Sequence, residues 1–171
     1  LWLERLPILR TYTAERAAYR NLVNGFAPPE TALFGNPYRE FIGAQIRADI
    51  YGYVSPGRPS RAAELAWRDA RLSHTKNGIY GSMWVAATVA AAFVARDPEE
   101  ALYIGMSEIP DSSRLYEALK ACTRMRRQGL SWEAAVSEVK ARYGKYHWVH
   151  TINNACLVAL ALLYGEMDFS K

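Results

Sequence analysis

The chain has 171 residues, 50% of them hydrophobic and 22% charged. That is long enough to bury a core without metals or disulfides and too apolar for intrinsic disorder. The formal charge of +4 is mild. Arg124, Arg126 and Arg127 form the one tight basic group and read as the solvated end of a helix, so no nucleic-acid partner is expected.

Helix signals recur along the chain. A helix is predicted over 12–23, with Thr11 or Thr13 as cap and Asn24-Gly25 as stop. Asn36-Pro37 is read as a cap followed by proline at the first helical position, opening a helical segment to about Tyr51. The 60–72 segment is amphipathic, with Ala63, Leu65, Ala66 and Ala70 on its inner face. The 77–95 segment is apolar nearly all round and is expected at the centre. Asp97-Pro98-Glu99-Glu100 combines cap, proline and acids for the helix dipole, and that helix ends near Met106. Asp111 or Ser112 caps the next helix, which runs to Gln128. Ser131 caps 132–143, and Thr151 or Asn153 starts the last helix, ending at Tyr164-Gly165. No segment alternates as a strand does. The expectation is an all-α fold, a compact orthogonal multi-helix bundle of seven to nine helices, with 77–95 and 153–163 the most buried.

The longest apolar stretches fall short of the ~20 residues that span a bilayer, so no membrane association is expected. Cys122 and Cys156 form no CxxC pair and read as two buried thiols of a cytoplasmic protein. The chain lacks an initiating Met. It is expected to be either a single all-helical domain over 1–171 or a fragment of a larger one.

Three polar clusters interrupt the apolar pattern. In the first, Gly43, Ala44 and Gln45 are small or polar enough for a backbone to approach a ligand, and turn amides bind phosphate oxygens. Arg47 would add charge there, with Asp49 to orient it or to accept a ribose hydroxyl. The alternative is a helix with one tolerated glycine and an Arg–Asp surface pair. The second cluster holds Asp69, Ser73, His74, Thr75, Lys76, Asn77, Gly78 and Tyr80. His74 would bond a sugar hydroxyl or stack on a base, or serve as a satisfied structural residue. Ser73 and His74, adjacent on a helix, would diverge, so no nucleophile–base dyad is expected. The third holds His147, His150, Thr151, Asn153 and Asn154. The histidine spacing is tolerable for zinc but lacks a third ligand, so capping of the last helix and lining of a cleft are expected instead.

Taken together, these runs carry a resemblance. Ile42-Gly43-Ala44-Gln45-Ile46-Arg47-Ala48-Asp49 resembles the glycine–small–x–x–Arg segment of the ADP-ribosylglycohydrolase family. Ala66-Trp67-Arg68-Asp69-Ala70-Arg71-Leu72-Ser73-His74-Thr75 is similar to its second signature, a helix ending in Ser/Thr-His. His150-Thr151-Ile152-Asn153-Asn154-Ala155 with Leu162-Leu163-Tyr164-Gly165-Glu166-Met167-Asp168-Phe169 is similar to its third.

The resemblance implies an all-helical hydrolase that removes ADP-ribose from modified substrates. It implies a pyrophosphate-binding turn at Gly43, Ala44 and Gln45, a ribose- or adenine-side contact from His74, and cleft walls near Thr151, Ile152 and Asn153. It also implies a pair of magnesium ions held by acidic motifs near the N-terminus and by an Asp-x-Asp-Thr-like motif after the third signature. The sequence contains neither motif. No metal is therefore expected on this segment, and the segment is expected to be inactive alone; the alternative is a non-catalytic ADP-ribose- or nucleotide-binding module, or a helical scaffold. Its expected partners are ADP-ribose or an ADP-ribosylated substrate, the remainder of its own domain, and a second copy through the uncovered surface.

Overall fold

The computed structural model describes residues 2–7 and 10–165. Part of the apolar start, and Glu166, Met167, Asp168 and Phe169 of the third run, lie outside the described residues. Ten α-helices occur among those described: α1 (Trp2–Arg5), α2 (Thr13–Val23), α3 (Glu30–Leu33), α4 (Asp49–Tyr53), α5 (Pro59–Ala70), α6 (Asn77–Ala92), α7 (Pro98–Met106), α8 (Arg114–Arg127), α9 (Trp132–Tyr143) and α10 (Thr151–Tyr164). The count exceeds the expected seven to nine because α1, α3 and α4 are single turns of four or five residues. No sheet forms among the described residues; one isolated antiparallel bridge joins Phe41 and His150.

The ends follow local chemistry. Asp97 accepts from the Glu100 amide at 2.8 Å and Ser131 from the Ala134 amide at 3.3 Å, as their sequences call for. The cap of α8 is Ser113, which accepts from the Tyr116 amide at 3.1 Å, rather than Asp111 or Ser112. The cap of α10 is His150, whose Nδ1 accepts from the Ile152 amide at 3.2 Å, rather than Thr151 or Asn153. The helix α2 starts after Tyr12, which caps it without a side-chain bond.

Residues 37–44 are turns, and the helix expected from Asn36-Pro37 does not form there. The reason is tertiary. The Asn36 side chain is buried; its Oδ1 accepts locally from the Tyr38 amide at 3.2 Å, but its Nδ2 donates back to Ala32 O at 3.0 Å and to the distant Ser73 O at 2.9 Å, which holds the segment against the end of α5. A short 3-10 turn over Gln45–Arg47 leads into α4.

Helix α6 is the axis of the molecule, with ten of its 16 residues buried. Its alanines 86 and 90 meet Ala62 and Ala66 of α5. The inner face of α5 uses Ala62 where Leu65 was expected. Small residues set the spacing. A Cβ on Gly52 of α4 would stand 2.5 Å from Val89 Cβ, and one on Gly105 of α7 would collide with Thr88 Oγ1. The helix stops at Ala92, short of the expected 95, and leaves Phe93 and Val94 exposed. The larger core joins Trp84 to Leu102, Leu115, Leu119, Ile152 and Leu160. Helix α10 buries Ile152, Ala155, Cys156, Ala159, Leu160 and Leu163, but Leu157 and Val158 stay exposed, so only one of its apolar faces is covered. Cys122 and Cys156 are free and buried where α8 meets α10, and the Cys122 sulfur together with burial pushes the Cys156 thiol up.

Candidate functional site

The three polar clusters converge at the start of α6 and α10. Ile42 N donates to Val149 O at 2.9 Å, and Thr151 donates from N to Glu40 O and from Oγ1 to Phe41 O, each at 3.0 Å. The first cluster is therefore stitched to the third. Thr75 N donates to Arg39 O at 2.9 Å and stitches it to the second. Gly78 allows this approach, because a Cβ there would stand 2.5 Å from Arg39 O.

Behind the 42–48 turn lies a single guanidinium. Arg47 donates from Nε to Asp69 at 2.7 Å, from Nη2 to Ser73 Oγ at 3.3 Å, from Nη1 to Gly43 O at 3.3 Å, and pairs through Nη1 with Glu15. Burial alone would lower its pKa, but Asp69 and Glu15 more than offset this and hold it above its ordinary value. The group that orients Arg47 is thus Asp69 with Glu15, and the assignment of that role to Asp49 is corrected. Asp49 is exposed at the start of α4, where it borders a separate, mostly apolar cavity of about 340 Å³ floored by Trp84 and Thr88. Burial and Asp69 also raise the Tyr51 phenol. The carboxylate of Glu15 lies against Gly43, where a Cβ would stand 2.5 Å from Oε1. Glu15 carried no signal in the sequence, since it is one acid in the first turn of an amphipathic helix, 32 residues from Arg47.

His74 is fully buried. Ser73 and His74 follow the end of α5 rather than riding on it, and their side chains meet instead of diverging, with Ser73 Oγ 2.8 Å from His74 Nδ1. Ser73 Oγ accepts from Arg47 Nη2; with its own proton directed to Nδ1, the imidazole proton sits on Nε2. Burial, and secondarily the Arg47 charge, lowers the His74 pKa to about 3. The Ser73–His74 pair is enclosed on all sides, both residues being 0% exposed.

Gln45 and Thr151 meet across Gly81, where a Cβ would stand 2.7 Å from Gln45 Oε1 and overlap the Thr151 methyl. Asn153 is half-buried at this end of α10 and donates to His147 O at 3.2 Å. Tyr80 turns away from the cluster and packs against the larger apolar core. Four buried side-chain atoms in the clusters have no hydrogen-bond partner: Gln45 Oε1, His74 Nε2, Thr75 Oγ1 and Asn153 Oδ1. The amides of Gly43 and Ala44 donate to no backbone carbonyl. A shallow depression of about 490 Å³, lined by Trp2, Arg68, Asp69 and Arg71, opens on the Asp69 side.

Both third-cluster histidines have structural tasks. His147 stacks on Phe41 with centroids 4.9 Å apart and accepts from Val149 N, while His150 caps α10 and stacks on Tyr146 at 4.4 Å. Among the described residues no group of three or more His, Cys, Asp or Glu is placed to hold a metal ion. Glu15 and Asp69, the carboxylates beside Arg47, are both engaged by it, and Glu40 accepts from Asn77 Nδ2 and pairs with Arg114. The described residues therefore do not fit a metal pair. No helix among them is long and apolar enough to cross a membrane.

The family model described as ADP-ribosylglycohydrolase matches residues 2–171. No curated protein and no solved structure matches the chain.

Proposed function

From the premise that the chain belongs to the ADP-ribosylglycohydrolase family, a family of hydrolases, we propose that it serves cleavage of the glycosidic bond between ADP-ribose and a modified substrate. The described residues contribute binding and orientation. The amides of Gly43 and Ala44 face the phosphates, as turn amides do at anion sites. Gln45, Thr151 and Asn153 form the wall, and neutral His74, enclosed behind it, reaches the ribose side when ligand entry opens the junction. Acid–base chemistry is not assigned to these residues, because Glu15 and Asp69 are tied to Arg47 and His74 is held neutral.

One observation carries the reading. Gln45 Oε1, His74 Nε2 and Asn153 Oδ1, one from each of the three runs, are buried without a hydrogen-bond partner. Buried polar atoms in native proteins are nearly always satisfied, by protein, water or ligand, and a polar ligand would complete these. Arg47 acts from behind by fixing the turn.

The test is calorimetry with ADP-ribose. Ala44 has φ −72°, which proline accepts, so Ala44→Pro deletes one amide donor without changing φ. Loss of a hydrogen bond to a charged group weakens binding by about 1.5–3 kcal/mol. His74→Ala is expected to weaken it by about 1–3 kcal/mol. Circular dichroism confirms that both variants fold. Unchanged affinity in both would overturn the assignment.

A further inference from the structure

The basic group at the end of α8 is divided by helix geometry. Lys120, Arg124 and Arg127 fall at i, i+4 and i+7, one stripe of the helix, while Arg126 points elsewhere and lies over the Tyr164 ring at 4.8 Å. The stripe faces α7. Between the two helices is a concavity of about 250 Å³ whose lining includes Tyr103 and Met106 of α7, Tyr116 of α8 and the three cations.

We propose that this concavity is a binding site for a compact phosphate-ester anion, separate from the cluster around Arg47. Each cation is already positioned. Arg127 lies over the Tyr103 ring at 5.2 Å and is held by Glu99 at Nε (3.1 Å) and Nη2 (3.0 Å), which leaves its Nη1 hydrogens free to donate. Lys120 lies over the Tyr116 ring at 6.0 Å, and its contact with Glu117 is long, 4.0 Å, and exposed. Such a pair is weak and yields readily to a dianion. The Arg124 side chain has no partner among the described residues, and neither the Tyr103 nor the Tyr116 hydroxyl has one. Two phenol donors and three cations thus surround a floor made by the Met106 side chain, which is 2% exposed. Arginine forks match phosphate oxygens, and a phenol donates to them. The apolar floor suits the organic part of an ester. The small volume, and the turning away of Arg126, favour a small ligand over an extended polyanion.

The experiment is isothermal titration of the protein with inorganic phosphate and with phenyl phosphate at low and at physiological salt. Both probes are expected to bind with an affinity that falls as salt rises. Phenyl phosphate is expected to bind more tightly than inorganic phosphate. Lys120→Ala combined with Arg124→Ala is expected to weaken binding at least tenfold, with the melting temperature unchanged because both side chains are exposed. Arg126→Ala, on the other face, is expected to bind as the parent does. Ala44→Pro is also expected to leave this binding intact, which separates the site from the proposed ADP-ribose turn. No binding of either probe at millimolar concentration, or equal binding by the Lys120/Arg124 variant and the parent, would show that the stripe is a solvated helix face and overturn the proposal.

Discussion

Lys76 holds a backbone conformation that L residues avoid, with φ 46° and ψ −125° at the residue preceding α6. Such a residue costs about 1–3 kcal/mol and persists only where its surroundings impose it. They do: Thr75 N is bonded to Arg39 O, and Lys76 O accepts from the amides of both Ile79 and Tyr80 at 3.0 Å. The turn that places His74 beside Ser73 and points α6 inward passes through this strained residue. Its side chain is exposed, so the strain is separable from packing. Lys76→Gly relieves it at an entropic cost of about 0.5–1 kcal/mol. The variant is expected to be more stable, with a Tm raised by ~2–5 °C. A melting temperature equal to or below that of the parent would show that Lys76 is not strained.

Close helix approach is an element-scale property, and α6 depends on it. Gly105 sets α7 against Thr88 Oγ1 and, at 3.0 Å for an added Cβ, against Trp84 O. The first neighbour is a side chain that has little room to move in a buried interface. The second is backbone. Overpacking here costs about 1–3 kcal/mol, against a gain of up to ~1 kcal/mol from replacing glycine by alanine inside a helix. The balance favours destabilisation, so Gly105→Ala is expected to lower the urea midpoint. Thr88→Ala in the same chain is expected to recover part of the loss. Strict additivity of the two changes would mean that the contact does not limit how closely α7 approaches α6.

At the scale of the whole molecule, His74 couples folding to acid. It is enclosed by the end of α5, the start of α6 and the 42–48 turn, so protonating it requires opening the junction. Its ordinary pKa in the unfolded chain is about 6.5, and in the folded protein it is lowered to about 3 by burial and by Arg47. Between those values the unfolded chain binds a proton that the native one does not. The stability associated with neutral His74 is therefore fully present above about pH 6.5 and is lost progressively as pH falls toward 3, at up to ~1.4 kcal/mol per pH unit. Urea unfolding at pH 7, 5.5 and 4.5 is expected to show this slope in the parent and a shallower one in His74→Gln. Equal slopes would remove His74 from the acid response.

The amino-acid sequence alone determined the all-helical class, the bounds of α7 and α9, the Gly25 and Gly129 stops and the inward alanines of α5. These depend on caps, on breakers and on a 3.6-residue period, which act within a few residues of each other. The family resemblance was legible there too, because its three runs are local. The tertiary structure decided the rest. Asn36-Pro37 has the local form of a helix start, yet the bonds from Asn36 to Ala32 O and Ser73 O hold the chain in turns. Glu15 and Arg47 lie 32 positions apart, and no periodicity joins them. Asp49, which looked like the natural partner of Arg47, lost that role to Glu15 and Asp69, because a guanidinium in a partly buried junction pairs with the carboxylates that packing brings to it, not with the nearest one along the chain.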